Sequence, residues 1–98
     1  MFTEGDAQGI FGKASDTSDR NKRIQLLQGI VGNETLDRKW EFLGENIYVT
    51  ACKMLARDYR ALTNYDEAEK YDVMAKKAER ELAGGKPEAV RGQPKPLR

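Results

Sequence analysis

Residues 55–78 read LARDYRALTNYDEAEKYDVMAKKA, and the fold follows from how this run divides. Ala68, Tyr71, Ala75, Ala78 and then Leu82 recur three and four residues apart, the period of one helix face. Small residues dominate that face, so a facing helix can approach closely. Asn64 and Glu67 stand three residues apart, a capping-box-like start. The run predicts the end of one helix, a tight Leu62–Asn64 turn, and an antiparallel second helix over about 65–82. Gly84 and Gly85 supply its stop.

Working toward the N-terminus, Leu36, Trp40, Leu43, Ile47, Ala51, Leu55 and Leu62 trace a second apolar stripe. Its spacing predicts one long helix over about 35–62, with Gly44 as the point of bending or division. A further helix is expected over about 18–31. Ser18 would cap it and Asp19 would favour its positive end. Ile24, Leu27 and Val31 share one face there, with Leu26 and Ile30 beside them, and Gly32 ends it. The fold class is thus all-α: three helices in a small domain over residues 17–83.

Two arms flank that domain. Residues 1–16 contain Gly5, Gly9 and Gly12, each unfavourable in a helix by about 1 kcal/mol, and are expected to be extended. Glu4, Asp6 and Asp16 outnumber Lys13, so this arm is acidic. Residues 84–98 hold all three prolines and carry Lys86, Arg91, Lys95 and Arg98 against Glu88. This segment is expected to be an extended, basic tail.

Composition excludes several function classes. The 98 residues carry a net charge of only +1, so the whole molecule has no strong bias toward nucleic acid or an anionic membrane surface. No apolar run approaches the 18 or so residues of a membrane span, and the acidic start Met-Phe-Thr-Glu-Gly-Asp lacks the features of a secretion signal. The expected location is the cytoplasm or the inside of a particle. Cys52 is the single cysteine, and its place beside Ala51 and Leu55 predicts a buried structural thiol. Histidine is absent, which removes the commonest general base and a common metal ligand.

At Leu55-Ala56, Tyr59, Tyr65, Ala68, Tyr71 and Ala75 the chain resembles a tetratricopeptide repeat, whose helix pair carries small and aromatic residues in this order. The same spacing is similar to the second and third helices of microtubule-interacting-and-transport domains. The match covers roughly residues 51–80. Thr63 stands where the repeat's turn glycine would be, and no second copy is present, although a solenoid needs about three. A generic antiparallel hairpin with small residues at the crossing explains the same pattern. The resemblance implies a protein-binding role.

No catalytic, cofactor-binding or metal-ligating set stands out. Gly9 to Ser15 departs from a phosphate loop in spacing, and Ala14 occupies the place of the hydroxyl. The carboxylates Asp58, Asp66, Glu67, Glu69 and Asp72 alternate with lysines and arginines, as on a solvated helix face. The candidate partner contacts are Ile10 and Phe11 on the acidic arm, Phe42 and Tyr48 off the main stripe, and Lys86, Arg91, Lys95 and Arg98 on the tail. The tail lacks the charge density and interleaved aromatics of a dedicated nucleic-acid segment, so such contact is a weak third reading. The leading expectation is a non-enzymatic assembly subunit that binds other proteins, such as a small structural component of a phage virion, with self-association open to it. A small regulator of one target protein is the alternative.

Overall fold

A computed structural model describes residues 2–83. The order is α1 (Glu4–Asp16), α2 (Arg20–Val31), β1 (Glu41–Phe42), β2 (Glu45–Asn46), α3 (Ile47–Ala61) and α4 (Tyr65–Leu82). The described residues are mostly helical, in keeping with the all-α class, but they form four helices and a two-stranded hairpin instead of three helices.

The first difference lies at the N-terminus. Residues 4–16 are helical, not an extended arm. Thr3 accepts from the Asp6 N–H, and the Asp6 carboxylate accepts from the Thr3 N–H, so two orphan donors are satisfied by one capping box. Ala7, Phe11 and Ala14 recur at four and three residues and are all buried. That burial outweighs the glycine cost. Of the three glycines in α1, Gly9 has nothing within 4 Å of where a Cβ would stand, while Gly5 and Gly12 meet Thr3 and Phe42 at 3.7 Å.

The second difference is the segment 33–46, expected to be helical as part of a 35–62 helix. Here polar side chains offer the backbone a competing set of bonds. Asn33 Oδ1 accepts from the Thr35 N–H, and Asp37 Oδ1 accepts from the Lys39 N–H, both at 2.9 Å. These turns lead into an antiparallel pairing of Glu41 with Asn46 and Phe42 with Glu45. The Ile47 N–H donates to the Trp40 carbonyl and closes the hairpin at its base. Asn46 then caps α3 by accepting from the Val49 N–H at 2.9 Å. Gly44 therefore divides the expected long helix by supplying a strand turn. Likewise α2 is capped by Asp19, one residue beyond the expected Ser18.

The hairpin of α3 and α4 forms as the sequence predicts. Tyr71, Ala75 and Ala78 share one buried cluster with Ala51, Leu55 and Ala56, and Ala68 is buried as well. The Tyr59 and Tyr71 rings stack with 5.8 Å between centroids. At the turn, the Asn64 N–H donates to the Tyr59 carbonyl and the Thr63 N–H to the Arg60 carbonyl, which completes a Schellman motif. Thr63 adopts φ +60°, the left-handed conformation that glycine ordinarily supplies.

One charged group sits inside this body. Asp58 is 2% exposed and faces α2. Arg23 Nε donates to Asp58 Oδ2 at 2.7 Å and Arg23 Nη2 to Oδ1 at 2.6 Å, a bidentate fork. Arg23 Nη1 also donates to the Thr17 carbonyl at 2.8 Å, just past the end of α1. The Asp58 hydrogen bond raises the Arg23 pKa above its ordinary value, so this arginine remains charged.

Two predictions test this architecture. Asp58→Ala leaves the partly exposed Arg23 without its partner and should cost about 1–3 kcal/mol in chemical denaturation, whereas Arg23→Met with Asp58→Leu should recover most of that loss. A double variant as unstable as the single would refute the assignment. Gly9→Ala should raise stability by about 0.5–1 kcal/mol, because the methyl meets open space in a helix interior. No change would favour an extended arm.

Candidate functional site

The tip of the β hairpin is the most exposed apolar feature among the described residues. Phe42 and Glu45 pair across a two-residue turn of Leu43 and Gly44. Leu43 has φ +55° and Gly44 has φ +81°, the double positive of a type I′ turn. Asparagine and glycine are the residues this turn favours. A bulky leucine there is a backbone outlier, and its side chain is 87% exposed. The chain thus holds a strained residue in place while leaving its apolar surface in water.

The tip is fixed from beneath by α1. Phe42 meets Phe11 edge-on, with centroids 6.1 Å apart and planes at 84°. Gln8 Nε2 donates to the Glu41 carbonyl at 2.9 Å. Between helix and hairpin lies a notch of about 360 Å³ bounded by Phe11, Gly12, Phe42 and Leu43, with Asp16 and Glu45 at its rim. Its floor is aromatic and its rim acidic. On the other side of Glu45, a shallower depression of about 660 Å³ runs along Val49 and Lys53 to Glu79, Leu82 and Ala83. Glu45 lines both.

The contact residues expected from sequence are distributed unevenly over this surface. Phe11 is 5% exposed, so it belongs to the core and contributes only an edge to the notch. Ile10 is partly buried against the same core. Both pack within their own chain, because residues 4–16 are helical. Tyr48 is also buried, under the Arg38 guanidinium, which lies 4.3 Å from its ring centroid. It is therefore not an exposed contact. Phe42 is half-buried and does line the notch. Lys86, Arg91, Lys95 and Arg98 lie outside the described residues. Leu43, the most exposed of the large apolar residues, was read in the sequence as part of a helical stripe. The signal that could have revealed it was the adjacent Gly44, since a residue–glycine pair between Phe42 and Glu45 is a hairpin turn pattern.

Chemistry at other points is limited. Cys52 is fully buried, and burial pushes its thiol up to about 11 against a smaller opposing hydrogen bond with Tyr48. A thiol so placed is a poor nucleophile at neutral pH. Burial likewise raises the Tyr48 and Tyr59 hydroxyl pKa values. Among the described residues no group of three or more Cys, Asp or Glu side chains is arranged to hold a metal ion. No described helix is long and apolar enough to cross a membrane.

No protein-family model matches the chain, and no curated protein or solved structure matches it.

The strain at the tip makes a direct prediction. Leu43→Asn places the preferred asparagine–glycine pair in the turn and should raise stability by about 1 kcal/mol in thermal or chemical unfolding. A loss of stability would mean that Leu43 makes a stabilising contact its exposure conceals.

Proposed function

We propose that this protein is a non-enzymatic interaction module, a subunit that joins a larger protein assembly through its hairpin tip. The single observation that carries this reading is Leu43, exposed and held at positive φ above an aromatic notch. Backbone strain of this kind is a pointer to function, because the fold would be more stable without it. Burying a leucine side chain against a partner returns roughly 1.5–3 kcal/mol, enough to make the residue a principal contact. The acidic rim of Asp16 and Glu45 selects a partner segment that carries an apolar residue flanked by basic ones. The tetratricopeptide-like pattern of the α3–α4 hairpin implies the same class of role, but the hairpin's small residues are consumed in its own core.

Affinity capture from the native source, quantified for wild type and two variants, tests this. Leu43→Asn should lower recovery of the specific partner at least tenfold while the protein stays folded. Val73→Asn, an exposed apolar position on the far part of α4, should leave recovery unchanged. Equal recovery by the Leu43→Asn variant and wild type would remove the hairpin tip as the docking site.

A further inference from the structure

The notch beneath the hairpin tip has room for one side chain and not for a peptide segment. Its volume of about 360 Å³ stands at the low end of ligand sites, which run from roughly 300 to 1,000 Å³. Gly12 lines it, and a Cβ there would already meet Phe42 at 3.7 Å, so a larger side chain at this position would occupy the notch. Unpaired carboxylates are common on a protein surface and by themselves signal nothing. The two at this rim differ by position. Asp16 is the last residue of α1, where the helix macrodipole is negative and a carboxylate is unfavourable. Glu45 reaches the same notch from the hairpin. Among the described residues no lysine or arginine nitrogen lies within 4 Å of either, whereas Asp58, Glu67, Asp72, Glu79 and Glu81 each have one. Two carboxylates and a helix C-terminus thus place negative potential over an aromatic floor.

We infer that the notch receives a single arginine side chain of the partner protein, its methylene stem along Phe42 and its guanidinium facing Asp16 and Glu45. The inference rests on the hairpin tip being a docking surface and names what the notch beside it takes. Charge complementarity requires a cation there, and the apolar floor requires one with a hydrocarbon stem. Arginine meets both demands better than lysine. Its guanidinium is flat and weakly hydrated, lies against an aromatic ring, and has enough donors to serve two carboxylates, whereas an ammonium holds its water. An apolar neighbour of that arginine then meets Leu43, so the recognised unit is a leucine-sized residue close to an arginine. The charges at the rim are exposed, so the affinity of the contact falls as ionic strength rises.

The test titrates the full ¹⁵N-labelled chain with three end-blocked tetrapeptides: leucine–alanine–arginine–alanine, and the same peptide with lysine or with citrulline, the neutral isostere, in place of arginine. The arginine peptide should shift the amides of Gly12, Leu43 and Glu45 with a millimolar dissociation constant and leave Val73 unmoved. Each exposed ion pair is worth up to about a fivefold change in affinity, so the citrulline peptide should bind about fivefold or more weakly, with lysine between the two. Asp16→Asn combined with Glu45→Gln should abolish the preference for arginine over citrulline. The melting temperature of Asp16→Asn should not fall, because a charge leaves the negative end of α1. Gly12→Leu should remove binding of all three peptides by filling the notch. Equal affinity for arginine and citrulline, a preference for lysine, or a preference for arginine that survives in the double variant would each overturn the inference. Such a result with a Leu43-dependent partner intact removes only the arginine from the notch. The expected peptide shifts with partner recovery insensitive to Leu43 remove the assembly reading and leave the notch as an arginine site.

Discussion

The rest of the structure depends on the bidentate contact between Arg23 and Asp58. Burying a carboxylate and a guanidinium costs several kcal/mol for each ion, and the cost is offset only when every donor and acceptor is matched. Here the fork bonds both Asp58 oxygens, and a third N–H reaches the carbonyl of Thr17. Arg20 adds a looser contact at 3.6 Å. Three segments are thereby set relative to one another: the end of α1, the first turn of α2 and the last turns of α3. Because an unmatched charge in this place is so unfavourable, one register of α2 on α3 is selected over the shifted alternatives that a small aliphatic core would tolerate.

Around that contact the core is built from modest pieces. α4 contributes mainly alanine, with Tyr71 as its one large buried side chain. Small residues permit close approach but bury little apolar area each, so the α3–α4 hairpin alone has a limited hydrophobic gain. α1 and α2 supply what is missing through Phe11, Ile24, Leu27 and Ile30. This explains why the N-terminal residues are drawn into the fold despite three glycines. The hairpin is held on this body: Phe42 meets Phe11 edge-on, and the Ile47 N–H donates to the Trp40 carbonyl at the hairpin base.

Leu43 stands apart from the core in this arrangement, with its side chain 87% exposed. The notch shares Phe11 and Phe42 with the core, whereas Leu43 at its edge lies outside it. A change at Leu43 therefore acts on the turn, while a change at Phe11 or Phe42 acts on the core as well.

By itself the sequence determined the α3–α4 hairpin, the helix over 20–31, the buried thiol of Cys52 and the alanine face of α4, because each depends on local periodicity, caps and stop signals. It also contained the Thr3–Asp6 capping box, but the glycines of residues 5–12 obscure it to any reading based on propensity alone. Tertiary structure decided the remainder. Whether 4–16 pays its glycine cost depends on Phe11 finding a pocket among α2, α3 and Phe42, which no local pattern encodes. Whether 35–46 continues a helix depends on Asn33, Asp37 and Asn46 capturing backbone N–H groups first, a competition that an apolar stripe through Leu36, Trp40 and Leu43 hides. Asp58 reads as one more solvated charge until Arg23, 35 residues away, closes over it. The candidate site has the same origin: Leu43 becomes a surface feature only because a turn with positive φ turns it away from the core it would have joined in a helix.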